Sequence, residues 1–158
     1  YGAEFLPAAG GQRYSVLKWL FMQAASMGPA LGNNSHFRLI ADANSYAAAR
    51  FRRMSAQAYR ALDKRLAEVP FLGGESYSIA DMASWPWVVP YKRFEQSMDA
   101  YPNVRRWFDA IKARPAVKRG MDVGKDLRRP TGEMTEEQHK MMFGQTGASV
   151  LRTRPEGN

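Results

Sequence analysis

The sequence predicts an all-α protein, a helical bundle followed by an irregular C-terminal tail, on three observations. Apolar residues recur at helical spacing in several long stretches, Gly, Pro and Asn punctuate those stretches, and no alternating pattern that would pair strands into a sheet is present. The chain has 158 residues, and a single core is normally built from roughly 100–200 residues. One helical domain over 1–124 and an extended or partly helical tail over 125–158 are therefore expected.

The first helix is predicted over 14–31, with Leu17, Leu20, Phe21, Ala24 and Met27 on its inward face, and Gly28-Pro29 kinks or stops it. A loop, Gly32-Asn33-Asn34-Ser35-His36-Phe37, is expected next. A second long helix runs from about Asp42 to Val69 with Phe51, Met54, Ala58, Leu62 and Leu66 inward, until Pro70 and Gly73-Gly74 end it. The short connection makes the two helices antiparallel neighbours. Ser78-Ile79-Ala80-Asp81 has the form of a capping box and opens a third, strongly apolar helix containing Trp85, Trp87 and an internal Pro86, so it belongs in the middle of the bundle with a bend near 82–86. Pro102 starts a shorter helix with Val104, Trp107, Phe108 and Ile111 at i, i+3, i+4 and i+7. Pro115 ends that helix and starts one or two further turns. Beyond Lys125 only Met134–Phe143 has helical character.

Composition removes several function classes. With no cysteine there is no disulfide framework, thiolate zinc site or cysteine nucleophile, so any redox sulfur must come from outside the chain. The two histidines, His36 and His139, lack metal-site spacing, and no metal is expected. No apolar run approaches the roughly 20 residues that span a bilayer, so no membrane association is expected and a cytoplasmic location is the default. The net charge of +8 suits anionic ligands or weak attraction to nucleic acid. The basic stretch from Lys112 to Arg129 has no aromatic stacking platform, which disfavours nucleic acid as a partner.

No nucleophile elbow, P-loop or dinucleotide fingerprint occurs, and no catalytic residue is assigned within the chain. What remains for chemistry is the segment 28–37 and the basic start of the second helix, where Tyr46, Ala49, Arg50 and Arg53 fall on adjacent faces. Arg is suited to grip a carboxylate through two parallel bonds. Spacing alone also accommodates a plainly solvated basic face.

Several stretches together resemble one family. They are Trp19-Leu20-Phe21-Met22-Gln23, Gly28-Pro29-Ala30-Leu31-Gly32 with His36-Phe37, Tyr46 through Phe51, Leu72 through Asp81, Trp85-Pro86-Trp87, and Arg114-Pro115-Ala116-Val117. In this order, over roughly residues 1–120, they resemble the C-terminal helical domain of glutathione transferases, in particular the Nu-class and yeast nitrogen-regulator-like type. The resemblance implies that a thioredoxin-like domain precedes this one and supplies most contacts to glutathione. Tyr1–Pro7 resembles the linker between the two domains, so that domain is expected to be missing from this chain. A complete protein would conjugate glutathione to small electrophiles, or use two glutathione molecules to reduce disulfide bonds.

The resemblance further implies that Arg50 holds a glutathione carboxylate, with Asn33, Asn34, His36 and Phe37 nearby. Trp19, Met22, Trp85 and Trp87 are expected in the core, Arg52 and Arg53 in solvent or at the dimer face, and the first two long helices at one side of a homodimer. The chain by itself is expected to be nearly inactive. The alternative is a non-catalytic module of the same fold that binds other proteins.

Overall fold

The structure, a computed structural model, describes residues 2–40, 45–127 and 135–144. Its internal contacts divide the chain into two compact units, residues 1–120 and 121–158. In the first unit a 3₁₀ turn, Ala3–Phe5, precedes α1 (Gly10–Met22), a π turn (Gln23–Met27), α2 (Gly28–Ile40), α3 (Tyr46–Glu68), α4 (Ile79–Val88), two 3₁₀ turns (Tyr91–Phe94 and Met98–Ala100), α5 (Pro102–Lys112) and the start of α6 (Pro115–Asp122). Among the described residues there is no strand, only an isolated antiparallel bridge between Phe71 and Gly74. The second unit holds the end of α6, a 3₁₀ turn Lys125–Leu127 and α7 (Glu136–Phe143), whose Thr135 and Gln138 form a capping box. His139 lies on α7.

The first correction to the sequence prediction is that no loop occupies 32–37: those residues are the body of α2. Proline in a helix lacks an N–H and clashes with the carbonyl four residues back. Here the five-residue π turn widens the backbone just ahead of Pro29, and the Gly28 N–H donates to Gln23 five residues back. The helical path therefore continues. The polar residues that read as loop formers bond within it or to its neighbours: Asn33 Nδ2 donates to the Pro29 carbonyl at 2.8 Å, and buried Asn34 donates to the Phe94 carbonyl at 3.2 Å.

The inward face of α1 also differs. Phe21 is 66% exposed and Ala24 is exposed, while Val16 and Met27 are buried. Apolar residues surround α1 on all sides, so periodicity gave no unique face. A Cβ built on Gly73 would stand 2.5 Å from Val16 Cγ2, which shows how closely the 70–74 turn closes over that side. Trp85 is buried, whereas Trp19, Met22 and Trp87 pack half-buried against the core.

Helix α3 begins where Ser45 accepts from the Ala48 N–H at 3.2 Å. It buries Ala58, Tyr59, Leu62 and Leu66, with Phe51 and Met54 half-buried. Its partners descend in number as it rises: Phe51 meets Phe37, Ser55 meets Ala30, and Arg65 meets Ser15. That order makes α3 antiparallel to the run α1–α2, as predicted. Helices α3 and α5 cap one another. Asp63 accepts from the Asn103 and Val104 N–H groups at 2.9 and 3.1 Å, and Arg106 donates to the Leu66 carbonyl at 2.6 Å.

The capping box at α4 forms, and it does more than cap. Asp81 is 0% exposed. Its Oδ2 accepts from the Ser78 N–H and hydroxyl, both at 2.9 Å, and its Oδ1 accepts from the Leu72 N–H and the Trp107 indole N–H, both at 2.8 Å. One carboxylate thus joins the 70–74 turn, the start of α4 and the middle of α5. On α5 Val104, Trp107 and Ile111 are buried and Phe108 stacks on Trp85 with centroids 5.3 Å apart, matching the predicted face.

Asp81→Asn turns an acceptor into a donor facing donors. It should lower unfolding free energy in urea by about 3 kcal/mol or more, since each buried group left unpaired costs about 1–3 kcal/mol. Gly73→Ala drives a Cβ into Val16 in the packed core and should cost roughly 1–3 kcal/mol by the same measurement.

Candidate functional site

Because 32–37 is helical, Asn33, His36 and Phe37 stand at i, i+3 and i+4 on one face of α2. Phe37 lies edge-on to His36 (centroids 5.2 Å, interplanar angle 86°) and stacks flat on Phe51 of α3 (5.3 Å, 4°). The stack fixes α2 to α3 at the level of Arg50. Arg50 is the residue before Phe51, about 100° round α3 from it, and is exposed, with its Nη1 donating to the Tyr46 hydroxyl at 3.4 Å. The structure therefore joins His36, Phe37 and Phe51 in one aromatic chain. Asn33 commits its Nδ2 to its own helix, and Arg50 has the Tyr46 hydroxyl as its hydrogen-bond partner.

Features that the sequence did not signal surround this group. Arg38 and Arg52 share one carboxylate, that of Glu95, at 3.8 and 2.9 Å, and Arg38 also donates to the Arg93 carbonyl. Arg52 is thus paired within the fold. Glu95 sits in the left-handed region, φ 58°, a conformation uncommon outside Gly and Asn, so no residue preference pointed to it. Gly28 and Gly32 form a seat for Trp87: a Cβ at either would meet its ring at 3.5 and 3.9 Å. One turn between two glycines was the available signal, and the adjacent Pro29 and Asn33-Asn34 concealed it.

A second feature lies along the α1–α3 seam. Two cavities of about 370 and 270 Å³ share Ala61. Ser15, Lys18, Trp19, Lys64 and Arg65 border the first, and Met22, Ala30, Met54 and Ala58 the second. Tyr14 and Phe21, 73% and 66% exposed, fall on the same stripe of α1 as Lys18. Arg65 spans the seam by donating to Ser15 and to the Leu72 carbonyl, both at 3.1 Å. Among the described residues no group of three or more His, Asp or Glu could hold a metal ion, and no helix is long and apolar enough to cross a membrane.

Residues 45–110, the span from the cap of α3 into α5, match the family described as "Glutathione S-transferase, C-terminal domain". The chain carries the C-terminal helical domain of the glutathione S-transferase family. It is 42% identical over 114 residues to the disulfide-bond oxidoreductase YfcG of Escherichia coli (strain K12), covering 72% of this chain and 53% of that protein. It is 38% identical over 145 residues to the disulfide-bond oxidoreductase YghU of the same organism, covering 85% and 49%. The chain spans about half the length of the curated relatives it matches. A glutathione transferase from Burkholderia graminis, solved with two glutathione molecules bound per subunit, superposes with a TM-score of 0.70 at 31% identity over 78% of this chain and 55% of that one. A glutathione transferase homologue from Lodderomyces elongisporus, solved with two GSH per subunit, gives 0.70 at 28% identity over 76% and 58%.

Within this transferase domain the Phe37–Phe51 stack holds the α2 face against α3. Phe37→Ala should lower unfolding free energy by about 1–2 kcal/mol, from lost stacking and part of the ring's burial, read by urea denaturation followed by circular dichroism.

Proposed function

We propose that this domain completes a glutathione site whose other half lies on a thioredoxin-like domain, in an enzyme of the Nu-class type. The enzyme uses two glutathione molecules to reduce a disulfide bond, or conjugates one to a small electrophile. In the reduction two glutathione thiols give two substrate thiols and one glutathione disulfide, so atoms and electrons balance without a protein sulfur. That suits a chain without cysteine.

The observation that carries the reading is Arg50. It stands exposed at the head of α3 with no carboxylate partner among the described residues, one residue before Phe51 of the His36–Phe37–Phe51 chain. A guanidinium in that state can grip a glutathione carboxylate. His36 and Phe37 supply an aromatic wall, and Asn33 shares their face. The relatives named as disulfide-bond oxidoreductases, and the neighbours solved with two glutathione molecules per subunit, support the same reading.

The seam between α1 and α3 supports a homodimer. Its floor is small, Ala58 and Ala61, and its rim carries the exposed rings of Tyr14 and Phe21, a shape that receives a helix of a second copy. Phe21→Glu should shift the protein toward monomer in sedimentation velocity while its helicity is kept.

The function is tested with the chain joined to its thioredoxin-like domain and a small model disulfide. Arg50→Ala should lower kcat/KM for glutathione roughly 10- to 100-fold without loss of fold, the scale of one charge-assisted interaction. Residues 1–158 alone should give no more than background reduction, because the groups that lower the glutathione thiol pKa are assigned to the thioredoxin-like domain. Activity that ignores Arg50→Ala would overturn the assignment of the carboxylate grip. Absence of glutathione-dependent activity in the joined protein would favour the protein-binding module.

A further inference from the structure

The arginines at the head of the bundle are answered in different ways. Arg38 and Arg52 are neutralised by Glu95. Arg50 has instead a phenol: its Nη1 lies 3.4 Å from the Tyr46 hydroxyl. The two residues are one turn apart, hence on one face of α3, and Tyr46 is 73% exposed. An aromatic ring left so far in solvent contributes little to packing the bundle.

The direction of that bond matters. The guanidinium donates, so the Tyr46 oxygen accepts and its own O–H proton stays available. A carboxylate has two oxygens. One that meets the remaining N–H groups of Arg50 can place its second oxygen on the Tyr46 hydroxyl, giving three charge-assisted or neutral donors around one anion. Tyr46 is also the first residue of a helix of 23 residues, where the backbone presents its positive end.

We propose that Tyr46 and Arg50 form one composite carboxylate site, in which Tyr46 is a specificity-determining residue. It favours a peptide thiol with a free carboxylate over the same peptide as an amide. This rests on the glutathione reading above and names the group that reads one end of the ligand. Tyr46 accepts from Arg50 and donates to the ligand, so it both orients the guanidinium and adds a contact of its own. A pair that served only the helix would stabilise α3 and leave ligand choice untouched.

The test uses the joined protein with glutathione and two analogues, one amidated at the glycyl carboxylate and one at the γ-glutamyl α-carboxylate. The wild-type protein, Tyr46→Phe and Arg50→Ala are compared by kcat/KM and by calorimetric affinity, with helicity checked by circular dichroism. The wild type should disfavour one of the two analogues by about 10- to 100-fold. Tyr46→Phe keeps the ring and removes only the hydroxyl. It should shrink that preference about 3- to 10-fold through KM, with kcat unchanged, and Arg50→Ala should remove most of it. If Tyr46→Phe keeps the full preference while Arg50→Ala loses it, the role of Tyr46 is refuted and the Arg50 reading stands. If neither the wild type nor Arg50→Ala distinguishes acid from amide, both fail together.

Discussion

A carboxylate that accepts from four donors at once, two of them backbone N–H groups, ties three separate pieces of chain to a single point. Asp81 draws the 70–74 turn, the start of α4 and the indole of Trp107 together. In a low-dielectric interior such hydrogen bonds are strong, and equally an anion there is tolerable only when it is fully bonded. The neighbouring apolar contacts inherit this geometry. Val16 can close on Gly73, and Trp85 can stack on Phe108, because the carboxylate has already set where α4 starts and how α5 lies against it.

The outer frame is built by mutual satisfaction of helix ends. Asp63 supplies acceptors to the start of α5, and Arg106 supplies donors to the end of α3. Each helix therefore completes the other, and the bonds tie the last turns of α3 to the start of α5. The aromatic stack of Phe37 on Phe51 and the carboxylate of Glu95, shared by Arg38 and Arg52, do the same at the opposite end. The face that carries Asn33, His36 and Phe37 is thus on helices braced at both ends.

Much of this was legible in the residues. The capping box at Ser78–Asp81, the buried face of α5 and the end of α3 ahead of Pro70 follow from spacing and from the chemistry of single side chains, which act locally. The predicted start of α3 at Asp42 lies outside the described residues, and the helix begins at Tyr46. Residues 32–37 were misread because Gly-Pro and Gly-Asn-Asn carry turn propensity, while what keeps them helical lies elsewhere: a wider turn just before Pro29, an indole against Gly32 and a carbonyl at Phe94. The face of α1 was ambiguous for a different reason, since its apolar residues are spread around the whole circumference with Arg13, Ser15 and Lys18 among them. Arg50 could be singled out by its position and by family resemblance. Its difference from Arg52 became visible only when Glu95, 43 residues away from Arg52, was placed beside the latter.

The unbroken helical path from Gly10 to Ile40 has a mechanical meaning. At about 1.5 Å per residue it is a beam roughly 45 Å long, and it bears the seam with α3 near one end and the row Asn33, His36 and Phe37 near the other. A break at Pro29 would have let the halves pivot independently. With the π turn in place of a break, the helical path runs on from Ser15, Lys18 and Trp19 to His36. The α1 residues that line the seam and the row Asn33, His36 and Phe37 therefore belong to one continuous helical segment.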